Sequence, residues 1–298
     1  AVSAARQGTA AAPCATNVRG KTPVMKFVAS MTMYDQTREH SALDATWIQL
    51  RDALRQNGVP APDVLVRRNA DLPPVPGGIR DAAGRLIAPD PASLPPDELD
   101  LSVLWRHPAL LFGETCWGPL QHGLDELVHV VAQNSYDGLT GGQGYFYRSA
   151  LVVLRGHHNA WDALPTSSFN SVRAMTGQRF VFNDRVSQSG YLSVVRDLQE
   201  LGASLDVCSR TTVTGSHLAS IMHVANGSAD IAAIDCRTWA LFRRADPIMA
   251  DRLRVIGWTR PSMGLPFVCS RHVRSAFRRT VAAVARTIML PIRYDYYV

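Results

Sequence analysis

The chain has 298 residues, 46% of them hydrophobic, which is enough for two ordinary domains or one large one with a substantial core. No run approaches the roughly 18 to 20 apolar residues of a membrane-spanning helix, which excludes a helical span. Its 31 Lys plus Arg against 25 Asp plus Glu give a net charge of +6, carried mostly by arginine, whose planar fork of donors suits oxyanions.

In chain order, residues 1–23 read as a tail expected to be disordered, rich in Ala, Thr and Gly and without the apolar stretch of a secretory signal; a leader has been removed or the sequence is a fragment. A strand is expected over Met25–Tyr34, running into a polar loop. Asp44 is then expected to cap a helix over 45–57 with Trp47, Leu50 and Leu54 on one face and Gly58 at its stop. A strand over Asp63–Arg67 would complete a parallel strand-helix-strand unit. Residues 71–96, dense in Pro, Gly and Asp, read as surface loop or hairpin, followed by a helix from Pro96 or Asp97 to Trp105. An apolar strand from Ala109 ends in the turn Thr115-Cys116-Trp117-Gly118. Further strands are expected over Val128–Tyr136, Tyr145–Leu154, Leu253–Thr259 and Leu265–Ser270, with a closing helix over Val273–Leu290.

Between the last four lies a block of three strand-to-helix junctions. Arg179–Asn183 is a short apolar run ending in the small hydroxyl turn Ser187-Gln188-Ser189-Gly190. Thr211–Thr214 is a β-branched run ending in Gly215-Ser216-His217, and Ala229–Asp235 ends in an acid before the helical stretch from Thr238. In an open α/β sheet such junctions meet at the carboxyl edge, where ligands bind. A helix start presents unpaired N–H groups to an anion, and hydroxyls can add to them; equally, one of the serines can simply cap its helix. His217 could face the ligand or solvent. Asp235 could accept a proton from a protonated oxyanion, orient His217, or cap the helix that follows.

Two α/β blocks joined by two strands give a hinge and a cleft. The expected division is a discontinuous first lobe, 24–152 with 258–298, around a second lobe, 153–257.

Ser187-Gln188-Ser189-Gly190 followed by Thr214-Gly215-Ser216-His217, the strand Ala229–Asp235 and the segment Tyr147–Val153 resembles the phosphate/phosphite/phosphonate substrate-binding proteins of ABC importers, over roughly residues 26–284. The resemblance implies a type II periplasmic binding fold, α/β with two lobes, each a mostly parallel sheet flanked by helices. It implies a tetrahedral oxyanion held by Ser187, Gln188, Ser189, the Gly190 amide, His217 and Asp235, with Tyr34 and the turn Thr115, Cys116, Trp117 contributed by the first lobe. It also implies a periplasmic or membrane-associated extracytoplasmic monomer, a membrane permease as partner, no cofactor and no catalysis. Gln188 departs from the smaller hydroxyl residue of many members, and the loop Arg260–Gly264 lacks the acid that an aminophosphonate's ammonium would want.

Other classes have less behind them. The basic stretch Arg271–Arg279 reads as the solvated face of an amphipathic helix, with no nucleic-acid motif beside it. Five cysteines, none in a CxxC pair, lack a zinc or thioredoxin signature and leave at least one thiol free. Ser, His and Asp occur together, but no Gly-x-Ser-x-Gly elbow accompanies them. Cys116 either fills space or, facing the cleft, ligates trivalent arsenic. The latter would suit a periplasmic oxyanion sensor signalling to a membrane kinase.

Overall fold

A computed structural model describes residues 26–156 and 171–289; the expected tail lies outside the described residues. Strands Val28–Ser30, Leu110–Glu114, Pro266–Ser270 and Val128–Gln133 form one sheet in that spatial order. Arg210–Val213, Arg179–Phe182, Ile231–Asp235, Ser149–Leu154 and Leu253–Trp258 form a second.

Both sheets are mixed, which corrects the expectation of mostly parallel ones. The first has one parallel pair, Val28–Ser30 with Leu110–Glu114, and the second has two, on either side of Arg179–Phe182. Pro266–Ser270 and Ser149–Leu154 run antiparallel to both their neighbours. These are the strands by which the chain enters each sheet from the other, so they arrive at the opposite end and run in the reverse direction.

The first sheet packs on the helices His40–Gln56 and Ser275–Ile288, whose Trp47, Leu50, Leu54, Val281 and Ala285 bury against Phe112 and Phe267. Stacking of Phe112 on Phe267 at 4.7 Å between centroids ties neighbouring strands together. The helix starts at His40, four residues before the expected cap. Asp44 lies inside it and accepts a bond from Arg67 instead, at 2.9 Å. Asp63–Arg67 is not a strand. Pro60 and Pro62 have no N–H to give, and Ser30 Oγ takes the Val66 carbonyl at 2.8 Å, leaving Val66 N–H to Ala29 O as the tie to the sheet. The helix expected from Pro96 is shorter, Leu101–Arg106, because Asp100 caps it through Val103 N–H at 3.0 Å. The 71–96 segment carries a small hairpin, Ile79–Arg80 with Leu86–Ala88.

The chain crosses between sheets at 134–148 and 259–265. The strand expected over Tyr145–Leu154 breaks at Arg148, whose N–H bonds Gly141 O. Phe146–Tyr147 pairs instead with Gly142–Gln143 and Ser262–Met263 in a small sheet between the two larger ones. Beyond it the crossings are joined by Thr259 N–H to Ser149 O at 3.0 Å, Ser149 N–H to Thr259 Oγ1 at 2.8 Å and Arg148 Nη1 to Thr259 O at 3.2 Å.

Candidate functional site

Strand Arg179–Phe182 leads through Asn183–Val186 to Ser187, which begins a helix by one wide π turn, with Leu192 N–H bonded to Ser187 O, before the regular α-helix Ser193–Glu200. Ser187 Oγ accepts the Gly190 N–H at 3.1 Å, so this serine is the cap and the Gly190 amide is engaged by it. Gly190 fits because a Cβ there would stand 1.8 Å from Asn183 Oδ1. Ser189 is held from behind: its carbonyl accepts the Ser149 hydroxyl at 2.8 Å, fixing the turn to the start of strand Ser149–Leu154.

The next junction places His217 as the first residue of the helix His217–Ala225, capped by Ser216. His217 Nε2 lies 2.8 Å from Ser189 Oγ. Nδ1 is covered from solvent without a well-formed hydrogen bond, beside the Ala233 carbonyl. That acceptor favours the proton on Nδ1, which leaves Nε2 to accept from the serine. Burial pulls the imidazole pKa down, opposed by Asp235 and the Ala233 backbone, so the ring is neutral.

Asp235 ends the third strand and uses its two oxygens differently. Oδ1 accepts Arg237 and Thr238 N–H at 2.8 and 2.9 Å, capping the helix Cys236–Ala245. Oδ2 accepts the Tyr34 hydroxyl, from the first-sheet side, at 2.8 Å. Tyr34 has no second proton to give, so Tyr136 donates to it across 2.8 Å and itself accepts Leu265 N–H at 3.1 Å. Burial, reinforced by Asp235, holds the pKa of both tyrosines well above the ordinary phenol value, so they remain O–H donors.

Cys116 closes the cluster. Backbone N–H groups of Gln188 and Gly118 point at its sulfur, and burial pushes the thiol up to about 11. Tyr34, Cys116, Tyr136, Tyr147, Cys236 and Leu265 form one buried group, with Tyr136 and Tyr147 stacked at 5.1 Å. The Tyr147 hydroxyl is buried beside Ser189 without a well-formed hydrogen bond, and Thr115 Oγ1 is buried without a partner. The two sides touch at backbone level: a Cβ on Gly118 would lie 1.7 Å from Val186 O.

The structure thus brings Tyr34, Cys116, Ser187, Ser189, Gly190, His217 and Asp235 together; Thr115 adjoins Cys116 in the chain, and its N–H bonds Pro266 O at 3.1 Å. It turns two expected residues elsewhere. Trp117 gives its indole N–H to Gly264 O at 2.7 Å, and the Gln188 side chain reaches Ser262 Oγ at 3.3 Å. Both line a neighbouring cavity of about 450 Å³ with His122, Phe146 and Arg196, whose lining includes none of Tyr34, Ser189, His217 and Asp235. Tyr136, Tyr147 and Arg237 were missed by sequence reasoning. Arg237 had a local signal, two residues past Asp235; the tyrosines, in the glycine-rich crossing, had none that separated them from core. Among the described residues no cluster of His, Cys, Asp or Glu could hold a metal ion, and no helix is long and apolar enough to cross a membrane.

Comparison with solved structures finds this fold in PhnD1 from Prochlorococcus marinus in complex with methylphosphonate, at 18% identity over 88% of this chain and 84% of that one, with a TM-score of 0.57. The binding protein component of an ABC phosphonate transporter from Pseudomonas aeruginosa is similar at 16% identity, covering 86% and 72%, with a TM-score of 0.53. A Xanthomonas citri protein bound to chloride ion gives 14%, 87% and 82%, and 0.54. These likenesses establish the two-lobed periplasmic binding fold. No curated protein sequence matches. The family model described as "ABC transporter, phosphonate, periplasmic substrate-binding protein" matches residues 123–289. That match spans more than half of the chain, which therefore belongs to the phosphonate-binding family of ABC transporter periplasmic substrate-binding proteins.

Proposed function

We propose that this protein captures a small tetrahedral oxyanion, a phosphonate, phosphite or phosphate, between its two lobes and presents it to a membrane permease. Family membership makes it an extracytoplasmic binding component and not an enzyme. The ligand, the closing motion, the monomeric state and the lobe division near residues 152 and 258 belong to the proposal.

One observation carries it: Tyr34 from one side meets Asp235 from the other at 2.8 Å, next to the Ser189–His217 pair and the underused hydroxyl of Tyr147. Each of these bonds can be exchanged for one to a ligand oxygen. Micromolar affinity requires about 8 kcal/mol, and charge-assisted hydrogen bonds contribute roughly 1.5–3 kcal/mol each. Tyr34, Tyr147 and Ser189 supply such donors when the cleft excludes water. Among the described residues, Asp235 is the carboxylate hydrogen-bonded to this group. Its free lone pairs suit the proton of a singly protonated oxyanion, and it repels a ligand that has no proton to give.

An arsenite-sensing role finds no support in the geometry of Cys116, whose thiol stays protonated and accepts backbone N–H groups. A thermal-shift panel of phosphate, phosphite, methylphosphonate and arsenite tests the proposal. At least one phosphorus oxyanion is expected to raise the melting temperature, and Ser189→Ala and His217→Ala to abolish the rise. No shift with any of them would refute the reading.

A further inference from the structure

Arg237 sits in the first turn of the helix Cys236–Ala245, on the second-sheet side, yet its guanidinium lies against Tyr34 of the first-sheet side and against Asn134, Ser135 and Tyr136, where the crossing leaves the first sheet. Its central carbon is 4.8 Å from the ring centroids of both Tyr34 and Tyr136. Nη1 donates to Asn134 Oδ1 at 3.2 Å and Nη2 to the Ser135 carbonyl. Asn134 is itself oriented, since its Nδ2 donates to Glu114 Oε1 at 2.5 Å, and Glu114 Oε2 accepts Met33 N–H, next to Tyr34, at 3.1 Å. The contacts form a closed circuit: Asp235 holds the Arg237 backbone and the Tyr34 hydroxyl, while the Arg237 side chain covers the face of the same tyrosine.

We propose that Arg237 is a clasp that holds the cleft shut and fixes Tyr34, backed by the Tyr136 hydroxyl, at the ligand position. The inference rests on the oxyanion-binding reading above. Three physical terms support it. A planar guanidinium stacked on two aromatic faces and bonded to two fixed acceptors loses all four contacts at once when the lobes separate. A cation behind the rings makes the phenol O–H groups stronger donors. It also offsets the Asp235 charge without touching the anion, so the ligand is selected by shape and protonation rather than held by a direct ion pair. Arg237 is thus a positioning residue that acts through the tyrosines.

The clasp predicts a kinetic signature. A group engaged only after closure acts on escape and not on encounter. Arg237→Ala should therefore raise the dissociation rate of methylphosphonate roughly tenfold or more, with little change in association rate. Arg237→Lys, which keeps the charge but loses the fork, should fall between. Asn134→Ala removes an acceptor from the other side and should move the same way, with far-UV circular dichroism confirming that each variant is folded. Small-angle X-ray scattering without ligand gives an independent arm: Arg237→Ala should have a larger radius of gyration than wild type. Unchanged scattering together with an unchanged dissociation rate would overturn the clasp. If wild type binds none of the anions, the oxyanion reading fails, and the scattering comparison alone still decides whether Arg237 holds the lobes together.

Discussion

On the second-sheet side of the cleft, Ser187, Ser189, His217 and Asp235 each stand within a few residues of a strand end and a helix start, so local sequence both builds the element and places the group. On the first-sheet side, Tyr34 and Cys116 meet Tyr136 and Tyr147 from the crossing, across long sequence separations and through a shared apolar cluster. The first kind of wall depends on caps and backbone. The second depends on packing, and its polar atoms owe their positions to rings that fit together. Local damage should therefore be graded on the second-sheet side and concerted on the other.

The sharpest way to break that contrast is Asp235→Ala, which strikes both walls. It removes two capping bonds and leaves the Tyr34 hydroxyl buried without its acceptor, and a loss of about 3 kcal/mol is expected in urea denaturation. Next, Ser189→Ala and His217→Ala should each weaken oxyanion binding by about 1.5–3 kcal/mol in calorimetric titration, with smaller effects on stability.

Titration separates Glu114, on the first-sheet side, from His217, on the second, by sign. Burial raises the Glu114 carboxyl to about 7, against the pull of Arg237, Asn134 and the Met33 N–H. The folded state thus holds a proton that the unfolded chain releases earlier. The stability this gives is complete below the ordinary carboxylate range and lost once pH has risen past about 7. Burial lowers His217, which acts oppositely: its contribution is complete above the ordinary histidine value and is lost as pH falls below about 6.5. Glu114→Gln should remove the decline toward high pH, about 1–3 kcal/mol between pH 5 and pH 8, and leave the acid limb in place. Denaturation midpoints across that range measure both. The smallest effect is expected from Ser187→Ala, which loses a single cap worth about 1 kcal/mol; a large loss there would mean that this serine does more than begin a helix.

The contrast also accounts for what could be read from sequence. Strand, hydroxyl turn and helix are contiguous, so the three junctions, their order and their shared edge were legible, as was the division into two α/β blocks. Asp235 was legible as a cap but not as the partner of Tyr34, because the tyrosine is 201 positions away. Trp117 and Gln188 were placed in the site because they adjoin it in sequence; a helical start rotates successive side chains by about 100°, which turned both toward the neighbouring cavity. The sheet directions were misjudged because a strand that returns from the other lobe looks like any other apolar run. Asp63–Arg67 was misjudged because β-branched composition does not reveal where its hydrogen bonds go.

The paired bonds between Ser149 and Thr259 have a mechanical consequence. Two independent tethers would let the halves shear, twist and gape separately. Bonded to each other here, and again where Phe146–Tyr147 pairs with Ser262–Met263, they bend as one ribbon, and the remaining freedom is close to one angle. Under the proposed closure, ligand capture by such a joint should be all-or-none, with few half-shut intermediates from which the guest could slip.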